Sequence, residues 1–149
     1  MTYRTEADIE RIAHGVADLS LPKPEWTHAA HFACAVWYLR RRPDLVLETA
    51  MPPMIRAYNA ATGVPNTDTD GYHETITLAS IAAARALLAT RPADEPLHET
   101  VAVLMAGPLG QSGWPLAWWS KARLFSVAAR RGWVDPDLRP FDPAVFGQA

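Results

Sequence analysis

Apolar residues recur at helical spacing in five successive stretches of this chain, and proline or glycine closes each of them. The period-two alternation of a half-buried strand persists nowhere, and no internal repeat or low-complexity tract is present. The spacing therefore predicts an all-α fold: a single-domain helical bundle over residues 1–149, with about five main helices, a short C-terminal helix and an extended tail. A chain of 149 residues has the length of one ordinary domain and can bury a core without disulfides or metal staples.

Thr5, followed by Glu6 and Asp8, reads as the cap of a first helix over Glu6–Leu19, which Leu21-Pro22-Lys23-Pro24 breaks. Thr27 caps a second helix that runs to Arg42 and is apolar on most sides, as a central helix would be. The third starts at Pro43-Asp44, is predicted to kink or split at Pro52-Pro53, and ends at Gly63. A polar loop bracketed by Gly63 and Gly71 follows, and Asp68 and Asp70 in it are read as residues that cap and turn the chain. A fourth helix is predicted over Tyr72–Thr90, and a fifth from near Pro96 to Gly107-Pro108. Ser120 caps one short helix, and the proline-rich tail from Gly132 is predicted to be extended and to wrap the surface.

Composition narrows the classes of function. Charged residues make up 20% of the chain and the net charge is −2, which disfavours a nucleic-acid-binding surface and directs attention to a pocket for a small molecule. Cys34 is alone, so neither an internal disulfide framework nor a cysteine-based zinc site can form, and a reducing compartment is the natural setting. The polar N-terminus lacks a signal-peptide core, and no apolar run approaches the roughly 20 residues of a membrane span. A soluble, cytoplasmic protein without a membrane partner is expected.

Two stretches carry chemistry. Trp26-Thr27-His28-Ala29-Ala30-His31 and Gly71-Tyr72-His73-Glu74-Thr75-Ile76-Thr77 bring three of the five histidines to the openings of two helices. One reading is a mononuclear metal held by His28, His31 and His73, with Glu74 as fourth ligand or general base. Three imidazoles with an open position suit a divalent metal such as zinc, iron or nickel, which would acidify a bound water for hydrolysis, hydration or elimination on a small polar substrate. A metal-free variant uses His73 and Glu74 as the catalytic pair. Tyr38, Tyr72, Thr77 and Arg123 are the candidate substrate-binding residues, although packing explains the two tyrosines as readily. The contrasting class is a non-enzymatic domain that binds a small ligand or forms a homodimer, with structural histidines. Aromatic enrichment at Trp114, Trp118 and Trp119 is compatible with a homodimer face and equally with a core. Convergence of the three imidazoles would favour the metal centre, and rings pointing apart would remove it.

In order, Trp26-Thr27-His28-x-x-His31, Tyr72-His73-Glu74-Thr75-Ile76-Thr77 and Ser120-x-x-Arg123-Leu124-Phe125-Ser126-x-x-Ala129-Arg130 resemble the motifs of a family of small bacterial all-helical proteins to which no activity is attached. This chain has Trp119 where that family has tyrosine, and Val127 and Ala128 where it has a proline and an acid. A looser resemblance is to DinB-like bundles, and it implies a divalent metal held by three histidines between helices, although the late histidine pair of those bundles is missing here.

Overall fold

Thr5 turns the chain into its first helix. In the computed structural model, which describes residues 3–147, the Thr5 hydroxyl accepts from the Asp8 amide and the Asp8 carboxylate accepts from the Thr5 amide, a reciprocal capping box. Helix α1 (Glu6–Ala17) buries Ile9, Ile12, Ala13 and Val16 along one stripe. It stops short of the predicted Leu19 because Leu19 adopts a φ of 67°, and the Ser20 and Leu21 amides fold back onto the Gly15 carbonyl.

Helix α2 (His28–Arg41) is capped by the Thr27 hydroxyl, which accepts from the Ala30 amide at 3.2 Å. Phe32 through Tyr38 are all buried, and α2 packs on α1, on α3 (Leu47–Ala61), on α4 (Glu74–Leu88) and on α5 (Leu97–Ala106). It is the central helix of an all-α bundle. Among the described residues there is no strand. No helix of these residues is long and apolar enough to cross a membrane.

Helix α3 starts later than predicted, and of the two forms expected at its prolines it does not take the split one. It begins at Leu47, beyond Pro43-Asp44, and it carries Pro52 and Pro53 inside one continuous helix. The prolines lack the amides that would bond to the Glu48 and Thr49 carbonyls, so those two carbonyls have no intrahelical donor. The Tyr58 hydroxyl then donates to the Leu21 carbonyl at 2.8 Å, which fastens α3 to the break after α1.

The single short helix expected after Ser120 is two. Helix α6 (Lys121–Leu124) is capped by Ser120 and α7 (Val127–Arg131) by Ser126, whose hydroxyls accept from the Arg123 and Ala129 amides. The two serine caps force a new start after one turn. The tail is extended only in part, because Pro143–Gly147 forms a 3-10 turn packed on α4. Phe141 and Phe146 meet Trp118 and Trp114 edge to face, at 5.2 and 5.3 Å between ring centroids. Trp119 is completely buried, and its indole N–H donates to the Val134 carbonyl at 3.0 Å. With Trp114 and Trp118 buried beside it, this cluster is core and not the dimer face weighed from the sequence.

Candidate ligand-binding site

The helical register of α2 places His28, His31, Phe32 and Ala35 on one face. That face lines a partly enclosed cavity of about 320 Å³, completed by Met51 and Ile55 from α3, Ile76, Thr77, Ser80 and Ile81 from α4, and Ser112 and Trp114 from the segment before α6. The wall is mostly apolar. Two imidazoles and three hydroxyls supply its polarity.

The two imidazoles are oriented by backbone carbonyls. His28 Nε2 lies 2.7 Å from the Leu109 carbonyl and must donate to it, which leaves the lone pair on Nδ1. His31 Nδ1 lies 2.7 Å from the Thr27 carbonyl one turn back and donates there, which leaves the lone pair on Nε2. Trp26 stacks on the His31 ring at 3.8 Å between centroids, with the planes 29° apart. His31 is exposed as well as part of the cavity lining, and the protein packed around its ring, Trp26 included, disfavours its charged form. Desolvation lowers its pKa from 6.5 to about 4; proximity to His28 acts the same way, and the bond to the Thr27 carbonyl opposes both. At neutral pH His31 is an uncharged hydrogen-bond acceptor. It is poorly matched to proton transfer near pH 7.

The three-histidine metal centre expected from the sequence is not assembled. His73 is the N-cap of α4: its Nδ1 accepts from the Ile76 amide at 3.1 Å, and its Nε2 donates to the Leu124 carbonyl at 2.6 Å. Both ring nitrogens are committed, so the buried His73 has no lone pair for a metal, and it does not line the cavity with His28 and His31. Among the described residues no three histidine, cysteine, aspartate or glutamate side chains are grouped to hold a metal ion. With both nitrogens bonded to backbone, His73 is not free for the proton transfer expected of the His73–Glu74 pair, and the Glu74 carboxylate accepts from the Tyr72 hydroxyl.

The candidate substrate-binding residues separate. Thr77 lines the cavity, with its hydroxyl donating to the His73 carbonyl at 2.8 Å. Tyr38 is buried and donates to the Ala13 carbonyl at 3.1 Å, and burial raises its pKa to about 12. Tyr72 is held by Glu74, with its pKa raised by burial first and by that hydrogen bond second. Arg123 donates from Nε to the Asp135 carbonyl and tethers the tail. Cys34, fully buried with its pKa pushed up to about 12 by desolvation, is an inert core thiol. Sequence reasoning missed Met51, Ile55, Ser112 and Trp114. The first two carried only an i, i+4 apolar spacing shared with any core helix, and Ser112 sat in a link that gave no signal.

The site predicts a pH dependence of stability. Burial lowers the pKa of His73 as well as that of His31. A histidine whose folded pKa lies below its unfolded value is neutral in both states at high pH, and costs stability once the unfolded chain takes up a proton that the folded chain refuses. Stability should therefore fall as pH drops below 6.5, and His31 should keep contributing to the fall down to about 4. Urea midpoints at pH 7.5, 5.5 and 4.5 measure this, and His31→Gln should flatten the curve over that window.

The fold and site thus define an all-α bundle with an apolar, histidine-bearing cavity beside its central helix. Comparison of the chain with protein-family models, curated proteins and solved structures found no match.

Proposed function

We propose that this chain is a small-ligand-binding helical domain, whose cavity takes a largely apolar molecule carrying a hydrogen-bond-donating group such as a hydroxyl. The observation that carries this reading is the cavity of about 320 Å³ with apolar walls and a neutral His31 on its lining. The lone pairs on His31 Nε2 and His28 Nδ1 are acceptors, so a donor on the ligand complements them; the Thr77 hydroxyl, whose proton goes to the His73 carbonyl, is a further acceptor, and the hydroxyls of Ser80 and Ser112 adapt to either role. The metal-dependent hydrolase or lyase expected from the sequence loses its support with the commitment of both His73 nitrogens.

Filling the cavity tests the reading. Ser80 lies on the wall contributed by α4, and Ser80→Phe places an aromatic ring in the space a ligand would occupy. Small aromatic alcohols should raise the melting temperature of the parent, and the variant should bind them at least ten-fold more weakly, about 1.4 kcal/mol. Equal responses from parent and variant would place binding elsewhere.

A further inference from the structure

A second concavity, of about 560 Å³, lies where the Gly63–Gly71 loop meets α7, lined by Arg56, Asn66, Thr67, Asp68, Thr69, Tyr72, Arg130 and Arg131. The loop beneath it is tightly built. The Asn66 side chain accepts from the Tyr72 amide and from Asn59, and donates to the Arg56 carbonyl, while the Thr67 hydroxyl accepts from the Thr69 and Asp70 amides. Gly71 closes it with a φ of 82°, and any Cβ there would lie 2.3 Å from the Pro65 carbonyl oxygen.

Three guanidinium groups face one carboxylate in this depression. Arg131 and Asp68 satisfy each other, with Nε and Nη2 at 2.6 and 2.5 Å from the same carboxylate oxygen. The charges of Arg56 and Arg130 remain unopposed in the lining, on a chain whose net charge is −2. Asp70 and Glu74, the nearest other carboxylates in sequence, do not line it. Both arginine heads are held in place by Tyr72 rather than by an acid. Arg56 sits over the Tyr72 ring, 5.0 Å from its centroid, and Arg130 Nη1 donates to the Gly71 and Tyr72 carbonyls at 2.9 and 3.3 Å. Arg130 Nε is buried with no hydrogen-bond partner, so Nη2 carries the donors of this head that the chain leaves free.

We infer that this depression is a binding site for a small dianionic phosphate, either inorganic phosphate or a phosphate monoester. The charges of two pre-positioned guanidinium groups match that of a phosphate dianion: Arg56 offers its oxygens a planar fork, Arg130 its Nη2 donors, and Thr67 a hydroxyl in the lining. The recess is local and the chain as a whole is acidic, so a long polyanion such as a nucleic acid is not its complement. This inference is independent of the apolar cavity.

The test is titration of inorganic phosphate into the full chain at low ionic strength, read by the arginine Nε–H resonances and by calorimetry, with sodium chloride at matched ionic strength as the control. Saturable shifts of the Arg56 and Arg130 signals with phosphate but not with chloride are expected. Arg56→Gln, an exposed position on α3, should fold normally and weaken phosphate at least ten-fold. Arg130→Gln should weaken it as strongly, but removes two bonds to the loop, so Arg56→Gln is the deciding variant. Equal responses to phosphate and chloride, or unchanged phosphate affinity in Arg56→Gln, would overturn the assignment.

Discussion

Replacing Trp119 by alanine is expected to cost about 3–5 kcal/mol of folding free energy, the largest effect of any single substitution considered for this chain. The indole is completely buried, lies 5.6 Å from Trp133 and 5.2 Å from Phe141 between ring centroids, and donates to the Val134 carbonyl. Alanine removes the ring from a packed aromatic cluster and leaves that carbonyl without its donor, and the tail cannot close the gap while Leu138 remains bonded to the Trp118 carbonyl. Trp119→Phe should recover most of the loss, because it keeps a ring in the cavity and forfeits chiefly the hydrogen bond. Urea unfolding followed by far-ultraviolet circular dichroism measures both. A loss below about 1 kcal/mol for the alanine variant would mean that the C-terminal segment is not anchored here.

His73→Ala is expected to cost roughly 2–4 kcal/mol, the sum of a lost helix cap and an orphaned buried carbonyl. One ring of His73 ties two distant segments together: Nδ1 starts α4 and Nε2 reaches the Leu124 carbonyl at the end of α6. Asparagine can restore the cap but cannot reach across to Leu124, so His73→Asn should recover about 1 kcal/mol and leave the rest missing. This graded result separates a structural histidine from a metal ligand. A metal site would show instead as a loss of bound ion, with the unfolding midpoint in chelator-treated buffer unmoved.

Much of the fold could be read from the residues because most helices carry a side-chain cap at their start; α3 and α5 do not, and the predicted start of α3 is too early. Thr5, Thr27, Ser120 and Ser126 all cap through their own hydroxyls. His73 also caps, through a ring nitrogen, which a sequence reading takes for a ligand because histidine is an uncommon cap. Pro52-Pro53 leaves a kink or a split open, and the helix is not split there: Leu47–Ala61 runs through both prolines, with two carbonyls left without their donors. For the site, the i, i+3 spacing of His28 and His31 puts both on one face, and of the candidate substrate-binding residues Thr77 lines the same cavity. What the spacing could not show is where each ring nitrogen goes. That depends on the Leu109 and Leu124 carbonyls, 81 and 51 residues away along the chain.

The central claim is that the space beside His28 and His31 is a ligand pocket, and its most direct test labels the pocket wall. With isoleucine and methionine methyl groups labelled for nuclear magnetic resonance, a panel of small aromatic and branched aliphatic alcohols is titrated into the parent chain. Ile55, Ile76, Ile81 and Met51 line the cavity, whereas Ile9 and Ile12 are buried in α1 outside it. Saturable shifts in the four lining residues are expected for at least one compound, with Ile9 and Ile12 unmoved. Silence of all four lining residues across the panel, or shifts spread equally to Ile9 and Ile12, would contradict it.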